Sequence, residues 1–301
     1  MVTVARRTVR NITYYYLEHT IRKNGRITKR SRYLGRTIPK NIEEIKKQFS
    51  YELDRERWFK LFDRIREDYV AQLEAMPQTA REKSFREFSV RFTYDTQRIE
   101  GSTLNLTETA QLLEEGISPS GKPLEDAKEA EAHQRVFFEM LRYQKNLSHI
   151  AVIYWHKKLF EGTKPDIAGQ IRGHGVKITG SRFIPPSPVE LQPLLREFFG
   201  RYNGNKAKMH PVELAALAHL KFVTIHPFSD GNGRISRLIM NFILKKHGYP
   251  MLNIEYKRRR AYYNALERAQ VNNRERIFCQ WFFRRYLREQ GTLGVSENTR
   301  K

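Results

Sequence analysis

The sequence predicts a mainly α-helical protein with little β-structure. Apolar residues recur at helical spacing along several long stretches, beginning with Ile42, Ile45 and Phe49. Proline, glycine and serine stand where such helices would begin or end. Only two short segments, 12–38 and 176–186, carry patterns typical of strands. We therefore expect a helical core, a small β-ribbon near the N-terminus and a short β-hairpin later in the chain.

Length and composition define the class of protein. The 301 residues, 40% of them hydrophobic, can bury a sizeable core in one large or two small domains. The single cysteine, Cys279, excludes a disulfide framework and fits a reducing compartment. The longest unbroken apolar run, Ile150 to Trp155, is too short to cross a bilayer, and the first ten residues have no apolar signal core. These observations predict a globular, cytoplasmic protein without a membrane segment.

Positive charge is concentrated at the N-terminus. The formal net charge is +22, and residues 1–40 carry eleven Lys or Arg against one acidic residue, Glu18. Such a segment favours a polyanionic partner, and nucleic acid is the obvious class. A solvated basic surface that aids solubility would give the same composition. Both interpretations stay open.

A domain boundary is expected near residue 40. Residues 12–38 predict two strands joined at Asn24-Gly25, a pair that suits the positive φ angles of tight turns. A long helical pattern follows. We therefore separate a basic β-ribbon at 1–40 from a helical region at 41–146.

The most informative stretch is His226-Pro-Phe-Ser-Asp230-Gly-Asn232-Gly-Arg234-Ile-Ser-Arg237. Apolar helical runs precede and follow it, so it links the end of one helix to the start of the next. Free backbone N–H groups and the positive end of a helix dipole meet there, and Gly231 and Gly233 have no Cβ to keep a phosphate at a distance. An ordinary helix–turn–helix joint explains single members of this set but not all of them together. The stretch predicts a phosphate site.

The side chains of this stretch indicate separate roles. Arg234 and Arg237 lie one turn apart in the first turns of a helix, where the dipole disfavours cations, so they suggest anionic ligands. Asp230 can hold a hard divalent cation that bridges phosphates. His226 is the natural general base for a hydroxyl nucleophile.

The same twelve residues match the signature of the Fic (Fido) family, His-x-Phe-x-Asp/Glu-Gly-Asn-Gly-Arg-x-x-Arg, at every defined position. The resemblance implies a protein adenylyltransferase, which transfers AMP from ATP to a Ser, Thr or Tyr hydroxyl of a target protein or of itself. It implies Mg²⁺ on Asp230, ATP contacts from residues 230–234 including Asn232, and a catalytic core at about 147–285. Residues 286–301 then remain as a disordered tail. The target stays open, as does the choice between a monomer and a homodimer.

A second motif, Thr96-Gln-Arg-Ile-Glu100-Gly101, precedes the core. Gly101 predicts the end of a helix, so the carboxylate of Glu100 lies at its C-terminus. The motif resembles the inhibitory sequence Ser/Thr-x-x-x-Glu-Gly/Asn of many Fic proteins. That resemblance implies that Glu100 pairs with Arg237 and prevents productive ATP binding. The alternative is a solvated glutamate at a helix end.

Further roles rest on the resemblance. The segment that contains Val176 and Ile178 would be a flap that pairs with an extended target by strand addition. Tyr262 and Tyr263 occupy the place of a tyrosine pair that lines the adenine pocket in related enzymes, although buried tyrosines of an amphipathic helix would give the same pattern. Some relatives have Asn where this chain has Gln270, so base specificity stays open.

Three alternative functions remain at this point. The same site could remove AMP from a modified protein, with Glu100 positioning a water molecule. It could transfer a phosphoryl group, although the intact Gly-Asn-Gly argues against this. The basic N-terminal segment could also bind nucleic acid, with or without catalysis in the core.

Overall fold

The structure, a computed structural model, describes residues 2–23 and 26–291. It confirms the mainly α-helical prediction, and no helix in the described ranges has an apolar stretch of membrane-spanning length. The strands are β1 (Val2–Val9), β2 (Ile12–Lys23) and β3 (Arg26–Gly35). The helices are α1 (Ile42–Ala75), α2 (Gln78–Ile99), α3 (Leu106–Ala110), α4 (Leu124–Arg142), α5 (His149–Phe160), α6 (Pro188–Asn205), α7 (Pro211–Ile225), α8 (Asn232–Lys246), α9 (Arg259–Val271) and α10 (Glu275–Gln290). The chain divides into two compact units, Met1–Leu61 and Phe62–Lys301.

The first unit contains a three-stranded antiparallel sheet in the order β1-β2-β3, where the sequence predicted two strands. The additional hairpin turns at Arg10 and Asn11, which both have positive φ, 46° and 61°. We missed β1 because its eight residues include only three large apolar side chains, all valines. The predicted turn at Asn24-Gly25 lies outside the described residues.

Contacts within the first unit join the sheet to the beginning of α1. Leu17 of β2 is fully buried. The guanidinium of Arg30 lies 3.1 Å from the carboxylate of Glu56, and that of Arg32 lies 3.6 Å from Glu52. Exposed ion pairs of this kind contribute little stability. Most other basic side chains of the ribbon remain exposed to solvent.

Helices α7 and α8 pack against each other in the middle of the second unit, and α8 also contacts α2, α4 and α5. Twelve of the fifteen residues of α8 are buried, so the helix has almost no solvent face. Its two arginines, Arg234 and Arg237, are therefore only 2% and 1% exposed. Charges buried to this extent need partners, and these partners form the candidate site.

The ends of the helices follow the chemistry expected from the sequence. His226 caps α7 in the left-handed conformation, with a φ of 51°, so the chain leaves the helix there. Gly248, with a φ of 75°, follows the end of α8. Ser187 and Glu190 form a capping box at the start of α6. These boundaries hold the signature residues between two well-defined helices.

The predicted β-hairpin at 176–186 does not form. The segment contains a turn, in which the Ser181 N–H donates to the Ile178 carbonyl at 3.1 Å, but no paired strands. An isolated two-stranded hairpin is marginally stable, and Pro185 and Pro186 cannot donate backbone hydrogen bonds. The segment thus has the predicted turn without a ladder.

The C-terminal helix is longer than the sequence indicated. We expected the core to end at about 285 and a tail to follow, whereas α10 continues to Gln290. The side chain of Gln290 is buried and donates to the Met251 carbonyl at 2.8 Å, which fixes the last turn. The rest of the predicted tail, 292–301, lies outside the described residues.

Candidate active site

The signature loop is closed by one buried asparagine. The Asn232 side chain accepts a hydrogen bond from the Phe228 N–H at 2.9 Å and donates to the Phe228 carbonyl at 2.8 Å. Both residues are nearly inaccessible, at 2% and 1% exposure. Asn232, predicted as an ATP contact, therefore fixes the shape of the loop in this structure.

The side chain of His156 packs against the signature loop and holds it in place. Its ring stacks on that of Phe228, with centroids 3.7 Å apart and planes 14° apart. Nδ1 accepts from the Gly169 N–H at 2.9 Å, and Nε2 donates to the Asp230 carbonyl at 3.1 Å. Burial lowers the pKa of His156 to about 4, so the ring is neutral. These contacts give His156 a structural role in holding the loop.

A side chain on either glycine of the loop would meet a different neighbour. Gly231 has a φ of +78°, and a Cβ there would lie 2.5 Å from the ring of Phe160. A Cβ on Gly233 would lie 2.2 Å from Oε1 of Glu100. The carboxylate of Glu100 therefore covers the face of Gly233 on which the sequence predicted a phosphate.

His226 is oriented as a proton acceptor. Its Nδ1 lies 3.2 Å from the Val223 carbonyl, an atom that can only accept, so Nδ1 carries the hydrogen. In the neutral ring Nε2 then has the free lone pair. Burial lowers the pKa of His226, and the carbonyl of Val223 opposes this only partly. The imidazole is thus neutral at pH 7 and able to accept a proton at Nε2.

Arg172 ties the flap segment to this loop, and sequence reasoning did not assign it a role. Its guanidinium donates to three carbonyls, those of His226 at 2.8 Å, His174 at 2.7 Å and Pro186 at 2.6 Å. The residue is 4% exposed, and burial lowers its pKa. In the sequence, Arg172 stands out only as an arginine in a glycine-containing loop, which does not indicate its contacts.

Asp230 lies between two cations. Its carboxylate oxygens are 2.7 Å from Nζ of Lys164 and 2.9 Å from a guanidinium nitrogen of Arg234. Burial alone would raise the pKa of Asp230, but these cations hold it at about 2. Lys164 also lies 3.0 Å from Glu129. Neither Lys164 nor Glu129 could be found from the sequence, because both are far from the signature along the chain.

The donor set around Asp230 fits a magnesium ion that shares its ligands with phosphates. The described residues contain no group of three or more His, Cys, Asp or Glu placed to hold a metal. Mg²⁺ is commonly bound by one or two carboxylates together with substrate phosphates, and it does not require an all-protein cage. The ionised carboxylate of Asp230 meets this requirement, provided that Lys164 gives up its Oδ2 contact.

Several side chains of the protein hold the guanidinium of Arg234. It donates to Gln97 at 3.1 Å, pairs with Glu129 and Asp230, and lies 4.6 Å above the ring of Phe160. Nearby carboxylates outweigh the effect of burial and raise its pKa. Arg234 therefore positions Asp230, and a direct phosphate contact stays a prediction.

Arg237 joins the signature to both ends of the second motif. Its guanidinium lies 2.5 Å from Oε1 of Glu100, and it also donates to the hydroxyl and the carbonyl of Thr96. Burial alone would lower the pKa of Arg237, but Glu100 raises it above its ordinary value. Arg237, which the sequence predicted to bind phosphate, is thus paired with Glu100, which the sequence predicted to be inhibitory.

The two tyrosines have different environments. Tyr262 is 1% exposed, its hydroxyl lies 3.0 Å from Nε2 of His219, and burial raises its pKa to about 12. It therefore lies against Arg237, and its place in an adenine pocket stays a prediction. Tyr263 is 45% exposed and donates to the Ile99 carbonyl at 2.8 Å. Adjacent residues point to different faces of a helix, so only one of the pair can face outward.

The remaining residues assigned from the sequence are Val176, Ile178 and Gln270. Val176 and Ile178 are both half-buried, with an exposed Lys177 between them, as in an extended segment with one inward face. Gln270 donates to the Thr224 hydroxyl at 3.2 Å, two residues before His226. Through Arg172 and Thr224 the flap segment and Gln270 are joined to the end of α7, and their contacts with a target or a base stay predictions.

Comparison with known proteins finds relatives of this chain. Residues 146–244 match the model of the Fic/DOC family. The protein adenylyltransferase Fic of Culex quinquefasciatus is 32% identical over 222 residues, which are 72% of this chain and 43% of the relative. The protein of the same name from Aedes aegypti is 32% identical over 195 residues, or 63% and 39%. The chain thus spans about two fifths of the length of these curated relatives.

Two solved structures share the fold. A Fic domain containing signalling protein from Bacteroides thetaiotaomicron has a TM-score of 0.68 at 25% identity, covering 77% of this chain and 95% of that one. Fic-1 (residues 134–508) from C. elegans has a TM-score of 0.73 at 25% identity, covering 85% and 77%. The complete signature lies inside the matched segment, in a fold shared with these structures, and residues 146–244 of the chain form a domain of the Fic/DOC family.

Proposed function

We propose that this chain is a protein adenylyltransferase, which transfers AMP from ATP to a Ser, Thr or Tyr hydroxyl. The observation that carries the proposal is the neutral imidazole of His226, with its free Nε2 at the entrance to a glycine loop that begins a helix. The name of the curated relatives, protein adenylyltransferase Fic, supports the same activity.

The proposed reaction is a displacement at the α-phosphorus of ATP. Nε2 of His226 accepts the proton of the target hydroxyl, and the oxygen attacks the α-phosphorus in line. The bond from the α-phosphorus to the bridging oxygen then breaks, and pyrophosphate leaves with that electron pair. Backbone N–H groups around Gly231 and Gly233 and the guanidinium of Arg237 hold the phosphates. Mg²⁺ bound at Asp230 would supply charge neutralisation on the phosphate oxygens.

The resting state would be inhibited by Glu100. Its carboxylate lies against Gly233 and on the guanidinium of Arg237, so phosphate and carboxylate compete for one place and one cation. The hydroxyl of Tyr263 holds the Ile99 carbonyl and thereby the end of α2 that carries Glu100. ATP would therefore bind weakly or with its α-phosphate misaligned until α2 moves.

The target would bind along the flap segment. Residues around Val176 and Ile178 have backbone groups that no neighbouring strand pairs in the described structure, and Arg172 fixes both ends of the segment. An extended target chain could add to this edge by backbone hydrogen bonds, with its hydroxyl directed to His226.

The direct test uses ATP labelled at the α- or the γ-phosphorus, with the purified chain and cell lysate. We expect the chain to add covalent label to protein from α-labelled ATP, and to add none from γ-labelled ATP beyond that found in lysate alone. If the chain added label from γ-labelled ATP, the reaction would be phosphotransfer and not AMP transfer. Release of AMP from a modified protein, without label uptake, would favour the reverse reaction with Glu100 positioning water.

We also propose that the basic ribbon binds nucleic acid. Arg6, Arg10, Lys29 and Arg36 are exposed, and counterion release makes binding through such cations sensitive to salt. Changing all four to alanine should reduce the slope of log K against log salt for a 20-base-pair duplex by about 0.9 for each phosphate that is no longer neutralised. An unchanged slope would leave the ribbon as a solvated basic surface.

A further inference from the structure

A groove between α9 and α10 concentrates positive charge at a place that AMP transfer does not use. Its volume is 710 Å³, and its lining contains seven Lys or Arg and no carboxylate. None of the residues assigned to ATP, to the target flap or to inhibition lines it. The groove is therefore a candidate for a second binding site, separate from that of AMP transfer.

Four of these cations have no acidic partner among residues 2–23 and 26–291. Lys257, Arg258 and Arg285 share the carboxylate of Glu255, at 3.1, 2.9 and 3.1 Å. In the described part of the chain, no Asp or Glu lies within 4.0 Å of the charged groups of the remaining four. These are Arg260, Arg268, Arg284 and Arg288. Like charges gathered without counter-charges repel one another, so the groove is prepared for an anion.

The cations form two rows along antiparallel helices. On α9, Arg260, Asn264 and Arg268 are four residues apart and share a face. On α10, Gln280, Arg284 and Arg288 have the same spacing. Four residues of α-helix rise about 6 Å, so each row extends about 12 Å. Rows of this length suit a chain of phosphates better than one small anion.

An aromatic ring lies in the same groove. Trp281 is half-buried, and its position is fixed by Tyr262 and Phe278, whose ring centroids are 5.6 and 5.4 Å away. A held indole beside a cationic groove is the arrangement on which unpaired bases stack. Bases in a duplex are stacked on one another and cannot reach the ring. A membrane surface would require exposed apolar side chains, whereas these rows consist of arginine and amide groups.

We propose that the groove between α9 and α10 binds single-stranded nucleic acid, with arginines on the phosphates and Trp281 stacked on a base. The amides of Asn264 and Gln280 offer both donors and acceptors to base edges. This site is independent of the proposed AMP transfer and of the N-terminal ribbon.

The test measures the binding of an oligothymidylate of 20 nucleotides to the full chain. Tryptophan fluorescence reports the binding, and the measurement is repeated over a range of salt concentrations. In a Trp58→Phe background binding should quench the fluorescence, and adding Trp281→Phe should remove that quenching, because the one remaining tryptophan, Trp155, is buried in the core. Arg284→Ala with Arg288→Ala should weaken binding about tenfold and reduce the salt slope by about 0.7 for each phosphate that is no longer neutralised. The matched control, Arg81→Ala with Arg196→Ala, removes two exposed arginines outside the groove and should bind as the wild type does.

Two results would overturn the proposal. One is equal affinity and equal quenching for the groove and control double variants. The other is equal quenching by inorganic polyphosphate, polyglutamate or phosphatidylserine vesicles, which would make the groove a general anion site. Retained label transfer from α-labelled ATP by the groove variants would show that they are folded and would keep this test separate from that of AMP transfer.

Discussion

Glu100→Gly should increase AMP transfer by roughly 10- to 100-fold, including transfer to the enzyme itself. The carboxylate lies 2.5 Å from the guanidinium of Arg237 and covers Gly233. A hydrogen bond to a charged group contributes about 1.5–3 kcal/mol net, and about 1.4 kcal/mol corresponds to a tenfold change in an equilibrium. Removing Glu100 frees Arg237 for a bidentate phosphate contact. Label transfer from α-labelled ATP measures the increase.

The chain supplies a matched control for this change. Glu161 caps the C-terminal end of α5 as Glu100 caps that of α2, but it pairs with the exposed Lys158. Glu161→Gly should leave transfer unchanged, and Arg237→Ala added to Glu100→Gly should cancel the gain. Wild-type activity in Glu100→Gly, at saturating ATP and with a known target, would return Glu100 to the role of a helix-end residue.

His226→Ala should reduce AMP transfer by about 10²- to 10⁴-fold, the usual contribution of a positioned general base. In the proposed reaction His226 acts on the target hydroxyl and contacts no phosphate, so the Kd for ATP should stay within about twofold, as expected for loss of an interaction made only in the transition state. Calorimetry with ATP and Mg²⁺ separates the two effects. The flap histidine His174, with an exposed side chain, gives the control variant His174→Ala.

The pH dependence of transfer should report the same residue. Burial lowers the pKa of His226 below its ordinary value of 6.5, so the base is neutral at pH 7. Protonation removes the lone pair on Nε2, so the rate should be flat around neutral pH and fall as the pH decreases through the lowered pKa. Loss of both ATP binding and transfer in His226→Ala would argue against the base assignment.

The sequence was sufficient for the parts of the site that depend on local chemistry. The cap at His226, the glycines of the loop and the end of α2 near Gly101 follow from backbone preferences of neighbouring residues. Lys164 and Arg172 could not be found, because nothing in a single sequence indicates which distant cation or carbonyl meets the loop. Burial in the folded core likewise decided which of two adjacent tyrosines faces outward.

The missing hairpin has a similar cause. The alternation of Val176 and Ile178 gives an extended segment, but a strand also needs a partner. In the proposed complex that partner is another protein, which the sequence of this chain does not contain. The extra strand β1 shows the opposite case, since β2 supplies a partner for a segment with a weak pattern of its own.

The burial of Arg237 determines how the site can change from the inhibited to the ATP-bound state. A guanidinium that is 1% exposed loses much of its stabilisation if its carboxylate partner leaves and nothing replaces it. An open and empty site is therefore costly, and the favourable course is anion exchange, in which a phosphate arrives as Glu100 departs. Under this scheme the concentration of ATP, together with its affinity for the open form, sets the fraction of active molecules. The same reasoning makes a more active Glu100→Gly chain a less stable one when no nucleotide is present.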